Sequence, residues 1–221
     1  MSDVLELIRG FNNVKSCANS CFSFIAKNRL AWLVVVVVLG IFADQASKMW
    51  AQDVLAEPYT IDEEIEVDGV AQIVKKEIYY PIRVIEVVPN FFNLMYKENP
   101  AAAFSLTSSI PAWVRRPLLI GVSVLATVFF LLWYFRMKGN DGLLLGSFSF
   151  ILAGAIGNLA DRIRLGYVID FLDVHAGPFG YPHLHWPTFN VADSFIVIGA
   201  IGVIFRTIWP SKDPGSTKSN T

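Results

Sequence analysis

Two aspartates in the second half of the chain have the residue type and setting that proton-transfer chemistry needs. Asp170 lies in the apolar stretch "YVIDFLDV" with no cation beside it, and Asp193 follows in "FNVADS". If the carboxyl groups meet, like charge and desolvation separate their pKa values and leave one protonated. Such a pair can activate water for attack on an amide. Asn190 also fits a helix N-cap with Asp193 as its reciprocal partner, which would explain Asp193 without catalysis.

Other polar groups stand at helical spacing within apolar segments. Asp44 and Lys48 are four residues apart, so they share a helix face and can form a simple ion pair. Asn158, Asp161 and Arg162 share another face, where the two charged residues could also be a salt-bridge pair that ends a helix. Ionisable groups within a membrane are costly, so their presence favours a functional role.

Two other functions are compatible with some of these residues. His175, His183 and His185 lie near Asp173, and "HLH" could hold a metal. Three prolines in the same segment favour an irregular surface loop, and we predict neither a metal nor a cofactor. A proton-coupled transporter is the second alternative, but no inverted repeat is visible. The G-x-S-x-G motif of serine hydrolases is absent.

The composition indicates which elements must position these residues. The chain has 221 residues, of which 54% are hydrophobic, and is thus more apolar than a soluble domain. Its net charge of −1 gives no sign of a nucleic-acid partner. Four apolar runs approach the roughly 20 residues that a spanning helix needs. We therefore predict an α-helical membrane protein with four transmembrane helices.

The long link after the first apolar run has the pattern of β-structure. "IEVDGVAQI" is typical of two short strands around an Asp68-Gly69 type I′ turn. "EIYYPIRVIEVV" is rich in β-branched and aromatic residues, and Pro81 favours an edge or a bulge. We expect residues 57–96 to form a small antiparallel unit.

The basic residues set the orientation. They are denser on the side that carries the termini, which predicts cytoplasmic termini and a periplasmic β-rich insertion. The first 29 residues could form either a short interfacial helix or a tail. The four transmembrane helices are predicted at 30–50, 113–135, 143–164 and 190–209. The cytoplasmic parts are an N-terminal segment at 1–29, a turn at 136–142 and a tail at 210–221. The periplasmic parts are the β-rich segment at 51–112 and a loop at 165–189.

Four stretches in order along the chain resemble the motifs of a known family. They are "DQASK" from Asp44, "NLMYKENPAAAFS" from Asn93, "GAIGNLADRIRLGYVIDF" from Gly154 and "PTFNVADS" from Pro187. Together they resemble the bacterial lipoprotein signal peptidases, the type II signal peptidases. The resemblance implies a four-helix aspartic endopeptidase of the inner membrane, with a β-cradle after the first helix and its active site facing the periplasm.

The resemblance also implies roles for individual residues. The family's two catalytic aspartates fall on Asp170 and Asp193. Residues expected to shape the pocket or bind substrate are Asp44, Lys48, Asn99, Gly154, Asn158, Arg162 and Asn190. The implied partners are diacylglyceryl-modified prolipoproteins, cut before the lipidated cysteine, and membrane lipid, with the enzyme a monomer.

The chain departs from the family pattern in two respects. Ala101 and Ala153 stand where the family has glycine, and alanine restricts the backbone and adds a methyl group. The stretch from Glu57 to Tyr80 is also longer than the usual family link.

Overall fold

A computed structural model describes residues 20–25, 27–67, 70–100, 111–137, 141–176 and 181–210. Its four long helices are α1 (Arg29–Leu55), α2 (Ala112–Arg136), α3 (Gly142–Arg164) and α4 (Val191–Ile208). Its strands are β1 (Ala56–Val67), β2 (Val70–Pro81), β3 (Val84–Val88), β4 (Phe92–Asn99), β5 (Val168–Ala176) and β6 (Tyr181–His185). The predicted fold class, a helical membrane protein with a β-rich insertion after the first helix, is confirmed.

The helix α3 is the centre of the bundle. Each of the four helices is long and apolar enough to cross a bilayer, but their burial differs. Within the most apolar stretch, 61% of α3 is buried, against 17% of α1, 6% of α2 and 11% of α4. Helices α1, α2 and α4 all pack on α3, so their remaining faces are left for lipid.

Small residues let the helices approach closely. A Cβ added at Gly199 of α4 would lie 2.5 Å from the carbonyl oxygen of Ser147 on α3. A Cβ at Gly40 of α1 would lie 2.8 Å from the Cβ of Ala153. The methyl group of Ala153, where the resemblance led us to expect glycine, is therefore accommodated by a glycine on the facing helix.

The first helix continues beyond its predicted end. We expected it to stop near residue 50, but it runs to Leu55 because its last turn has a second apolar partner. Ala51 and Leu55 are fully buried against Tyr96, Ile169 and neighbouring side chains of the sheet. The end of α1 is thus part of the core that joins the helices to the β-structure.

The β-structure consists of two sheets. The strands β1 and β2 form an antiparallel hairpin in which Val67 pairs with Val70, as expected for the 57–96 region. The predicted turn at Asp68 and Gly69 lies outside the described residues. Both strands have 12 residues, longer than the short strands we expected.

A four-stranded antiparallel sheet carries part of the site. Its strand order is β3-β4-β5-β6, so the insertion after α1 pairs with chain from the link between α3 and α4. We expected that link, residues 165–189, to be an irregular loop. Much of it is strand instead, because the β-branched and aromatic side chains of β5 pack into the core beside β4.

The opposite end of the bundle holds a second apolar cluster. Ile25, Tyr134 and Phe148 are buried there with Leu33, Leu145 and Leu152. A Cβ on Gly142 would lie 2.0 Å from the carbonyl oxygen of Phe22, so the helical residues 20–25 pack directly on the first turn of α3. The rest of the predicted N-terminal segment, residues 1–19, lies outside the described residues.

Candidate active site

A cavity of about 730 Å³ lies between α2, α3 and α4 at the end of the bundle that carries the sheet. Its polar lining includes Asn99, Ser123, Asn158, Arg162, Asp170, Thr188, Asp193 and Ser194. Its apolar lining includes Val122 on α2 and Val197 and Ile198 on α4, all more than half exposed. The cavity therefore opens onto the lipid-facing surface between α2 and α4.

Asp170 enters this cavity from β5. Its side chain is 2% exposed, and its two oxygens accept hydrogen bonds from separate amides. Asn99 Nδ2 donates to Oδ2 at 2.9 Å, and Asn190 Nδ2 donates to Oδ1 at 2.8 Å. Burial, opposed by these bonds, and the negative charge of Asp193 raise the pKa of Asp170 to about 6. Asp170 therefore keeps its proton to a higher pH than an ordinary aspartate does.

Asp193 enters from the first turn of α4, where it also closes the helix. Asn190 Oδ1 accepts from Asp193 N at 3.0 Å, and Asp193 Oδ2 accepts from Asn190 N at 3.3 Å. The predicted capping box is therefore confirmed. Asp193 Oδ1 accepts from Asn158 Nδ2 at 2.7 Å, so the same carboxylate caps a helix and lines the cavity.

Asn190 connects the two aspartates. It is fully buried, and besides capping α4 its Nδ2 donates to Asp170 Oδ1 and, at 3.2 Å, to Asn158 Oδ1. Asn158 in turn donates to Asp193. One unbroken set of hydrogen bonds therefore fixes both carboxyl groups, as a preorganised site requires.

A buried charge cluster lies behind these amides. Lys48 Nζ is 2.8 Å from Asp44 Oδ2, which confirms the predicted ion pair four residues apart on α1. The same ammonium is 2.8 Å from Asp161 Oδ2 and donates to Asn158 Oδ1 at 3.1 Å. Asp44 Oδ1 accepts from Ala192 N at 3.0 Å, which ties α1 to the residue before Asp193.

The structure sorts the predicted site residues into two groups. Asn99, Asn158, Arg162, Asp170 and Asp193 line the cavity. Four others lie behind it and do not line it: Asp44, Lys48, Gly154 and Asn190.

Gly154 serves helix packing rather than the cavity wall. A Cβ at this position would lie 2.2 Å from the carbonyl oxygen of Ala192, so glycine lets α3 meet the start of α4. The loop that contains Ala101 lies outside the described residues.

Three residues of the charge cluster were missing from the predicted site. Gln45 Nε2 donates to Asp161 Oδ1 at 2.9 Å and to Asp44 Oδ2 at 3.1 Å. Asp161 pairs with Lys48, not with its neighbour Arg162. A Cβ on Gly157 would lie 2.7 Å from Asp44 Oδ2. All three could have been included in the predicted site, because they lie within the motif stretches "DQASK" and "GAIGNLADRIRLGYVIDF".

Of the three histidines in the metal alternative, the structure describes the side chain of His175, and the side chains of His183 and His185 lie outside what it describes. Asp173 and His175 lie on β5, where Asn93 Nδ2 is 3.3 Å from Asp173 Oδ2 and 3.2 Å from His175 Nε2. Within the part of the chain that the structure describes, no three His, Cys, Asp or Glu side chains are grouped as metal ligands.

The geometry of the cavity suits acid–base chemistry on an amide. It brings together a carboxyl group with a raised pKa and a second carboxylate at a helix N-terminus, where the helix dipole favours negative charge. Amide donors surround both, and the apolar walls limit water. This arrangement can hold one proton between two carboxyl groups.

Comparisons with known proteins agree with this description. The family model described as "Signal peptidase (SPase) II" matches residues 34–209. The lipoprotein signal peptidase of Syntrophotalea carbinolica is 44% identical over 126 residues, which cover 57% of this chain and 73% of that protein. The lipoprotein signal peptidase of Moorella thermoacetica is 34% identical over 149 residues, which cover 67% of this chain and 90% of that protein.

Two solved structures share the fold. Both are described as bacterial membrane enzyme structures obtained by the in meso method, at 2.3 Å and 1.9 Å resolution. The first has a TM-score of 0.58 at 21% identity and covers 86% of this chain and 93% of its own. The second has a TM-score of 0.55 at 22% identity and covers 81% of this chain and 94% of its own.

Fold and site together define a multi-pass helical membrane protein whose acidic cavity opens towards lipid. The family match extends over nearly all of the helical bundle and both aspartates. The chain belongs to the signal peptidase II family and is therefore a membrane peptidase.

Proposed function

We propose that the chain is an intramembrane aspartic endopeptidase that removes the signal peptide from diacylglyceryl-modified bacterial prolipoproteins. It cleaves before the lipidated cysteine and uses Asp170 and Asp193 as its catalytic residues. The main support is a pair of carboxyl groups, Asp170 buried and Asp193 partly buried, joined through Asn190 in one cavity that opens to lipid. Family membership supports the substrate class.

In the proposed reaction the two aspartates have different protonation states. Asp193, ionised and near a helix N-terminus, takes a proton from water as the water oxygen attacks the scissile carbonyl carbon. Asp170, whose pKa is raised to about 6, carries a proton in the reactive form of the enzyme and donates it to the developing oxyanion. As the C–N bond breaks, Asp193 gives the nitrogen the proton that it took from water, and Asp170 takes back a proton from the hydroxyl group of the intermediate. No covalent enzyme intermediate forms.

The cavity walls fit a substrate that arrives within the bilayer. The apolar surface of Val122 and Val197 can face acyl chains or the signal-peptide helix. Asn99 and Arg162 provide amide and guanidinium donors for peptide or lipid carbonyl groups. A substrate anchored by its lipid can therefore diffuse in the membrane plane to the opening between α2 and α4.

The proposed location is the bacterial inner membrane, with the termini in the cytoplasm and the active site facing the periplasm. The greater density of basic residues near the termini supports this orientation. We propose that the enzyme acts as a monomer, because the cavity is complete within one chain.

Cleavage of a purified lipidated prolipoprotein tests the assignment. Asp170→Asn and Asp193→Asn should each lower kcat by at least about a thousandfold, because an amide of the same size cannot transfer the proton. The double variant should lose little more, since the pair acts as a unit. Asp53→Asn, the same change at an exposed position on α1, is the control and should cleave normally.

Near-normal cleavage by Asp170→Asn would overturn the proposed mechanism. A chelator separates the metal alternative, because the proposed aspartic peptidase should be unaffected by EDTA. Binding of the lipidated substrate should survive in both single variants, since the cavity walls are unchanged.

A further inference from the structure

Asp161 is a fully buried carboxylate that has no part in the proposed proton transfers. It lies in the last turn of α3, at the end of the bundle that carries the sheet, and does not line the cavity. Burying a charge is costly unless partners compensate it. The contacts that compensate the buried charge of Asp161 therefore indicate the role of this residue.

One set of contacts leads from Asp161 to Asp170. The carboxylate oxygen Oδ2 of Asp161 accepts from the backbone N–H of Ile169, the residue before Asp170, at 3.4 Å. The carbonyl oxygen of Asp161 accepts from Leu165 N at 2.7 Å and from Gly166 N at 3.3 Å. The carboxylate of Asp161 thus holds the peptide that presents Asp170 in β5, while its backbone carbonyl closes the turn that leaves α3, as the carbonyl of any residue there would.

A second set of contacts leads from Asp161 to Asp193. An ammonium group has three donors, and Lys48 directs them at Asp44, Asp161 and Asn158. Because Lys48 occupies Asn158 Oδ1, the Nδ2 of Asn158 is turned towards Asp193. Without the charge of Asp161, Lys48 would keep one carboxylate partner and would be freer to move towards the cavity.

We propose that Asp161 is a positioning residue that holds both catalytic aspartates in register, Asp170 through the Ile169 amide and Asp193 through Lys48 and Asn158. This inference rests on the proposed function. It assigns a task to a group on α3 that touches neither substrate nor reacting atoms.

The charge balance gives the proposal a signature that a purely structural role lacks. Lys48 lowers the pKa of Asp170, although burial outweighs it. The charge of Asp161 offsets this effect of Lys48. The other charged or histidine residues on β5 and on the elements around it are Asp173 and His175 on β5, His183 and His185 on β6, Arg29, Asp44, Lys48 and Asp53 on α1, Lys97 and Glu98 on β4, Arg162 and Arg164 on α3, and Asp193 and Arg206 on α4. Asp161→Asn leaves all of these unchanged and removes one negative charge.

The test uses the full-length enzyme with a lipidated prolipoprotein, and measures kcat, KM and their pH dependence together with Tm. Asp161→Asn should lower kcat roughly 100-fold with KM changed less than about threefold, since small misplacement of reacting groups is costly. Its alkaline limb should move to lower pH by roughly one unit, because Asp170 loses its proton more easily. Asp161→Glu keeps the negative charge, so the alkaline limb of its pH profile should lie at the wild-type pH.

Asp141→Asn, at the N-cap of the same helix, is the matched control. Asp141 caps the first turn of α3 through Leu144 N and pairs with Arg206, at the end of the bundle away from the cavity. This variant should lower Tm but leave kcat and the alkaline limb unchanged. If Asp161→Asn has wild-type kcat and limb, or only a Tm loss like the control, the proposal is wrong.

A second variant decides the matter if Asp161→Asn does not yield folded protein. Gln45→Met removes an amide donor to Asp161 at a partly exposed position of α1, and it should lower kcat about tenfold at unchanged KM. Wild-type kcat in folded Gln45→Met would overturn the proposal. If Asp170→Asn also cleaves normally, the proposed function fails; if it is inactive, only the role of Asp161 fails.

Discussion

At the scale of single residues, the two aspartates differ because their surroundings differ. Asp170 is held on a strand by two neutral amides, and burial disfavours its charged form. Asp193 lies at a helix N-terminus, where a backbone N–H, the Asn158 amide and the helix dipole offset part of the cost of burying its charge. Two identical side chains can therefore take different parts in one reaction, which is the basis of the proposed mechanism.

The pH dependence of cleavage follows from the raised pKa of Asp170. If protonated Asp170 is the general acid, kcat/KM should fall tenfold per unit as the pH rises through about 6. Bound substrate removes further water from the cavity and disfavours the charged form, so the limb in kcat should lie at higher pH. Steady-state kinetics from pH 4 to 9 measure both, and a kcat/KM that rises through this range would contradict the assignment.

At the scale of elements, α3 connects every part of the site. It packs on all three other long helices, and it carries Asn158, Asp161 and Arg162 within its last two turns. The close contact at Gly154 and Ala192 determines where α4 begins relative to α3. Because Asp193 follows Ala192, this helix contact also sets the position of a proposed catalytic group.

Gly154→Val tests this dependence on packing. The added side chain would overlap the Ala192 carbonyl, so the two helices must separate, at a cost of about 1–3 kcal/mol in unfolding free energy. We expect a lower Tm and loss of most cleavage. Gly121→Val on α2 is the control, since no atom lies within 4 Å of an added Cβ there, and it should change neither measurement appreciably.

The β1–β2 hairpin is tied to the rest of the protein through aromatic side chains. Tyr79 of β2 lies 6.3 Å, between ring centroids, from the buried Tyr96 of β4. Tyr59 and Tyr80 contact each other at 5.9 Å and are both more than half exposed. The hairpin is therefore anchored at its base by Tyr79 rather than by its exposed aromatic pair.

Substitution of the tyrosines distinguishes these contacts. Tyr79→Ala should lower the unfolding free energy by roughly 1–3 kcal/mol, because it uncovers the Tyr96 core. Tyr59→Ala should have an effect within about 0.5 kcal/mol, as is usual for exposed positions. Thermal unfolding of the purified protein measures both, and equal Tm losses would show that the anchor lies elsewhere.

At the scale of the whole molecule, the charged cavity and both sheets lie at one end of the four-helix bundle. The apolar cluster that contains residues 20–25 lies at the other end. The orientation of this asymmetric bundle in the membrane determines which compartment supplies the catalytic water. We propose that the sheet end faces the periplasm.

Thiol labelling in spheroplasts tests the orientation. Lys75 is an exposed residue on the hairpin, and Cys21 is exposed near the opposite end. In a Cys17→Ser background, Lys75→Cys should react with a membrane-impermeant maleimide in intact spheroplasts. Native Cys21 should react only after lysis, and labelling of Cys21 before lysis would reverse the proposed topology.

Short-range physics made several features predictable from the sequence alone. A bilayer requires runs of about 20 apolar residues, so the four spans could be read from length and composition. The Asp44–Lys48 ion pair and the Asn190–Asp193 capping box depend on spacings of four and three residues within one helix. The proposed catalytic positions, Asp170 and Asp193, were predicted from the resemblance of short motifs to a family, because motifs and their order can be recognised in the sequence itself.

Only the tertiary structure decided which groups share the cavity and which lie behind it. Asp161 reaches Lys48 on α1, and Gln45 reaches Asp161 on α3, across more than 100 residues of sequence. The strand β5, which presents Asp170, exists because it pairs with β4 from the earlier insertion. Such contacts depend on how helices and strands pack in three dimensions, and the spacing of residues within one helix or strand does not determine that packing.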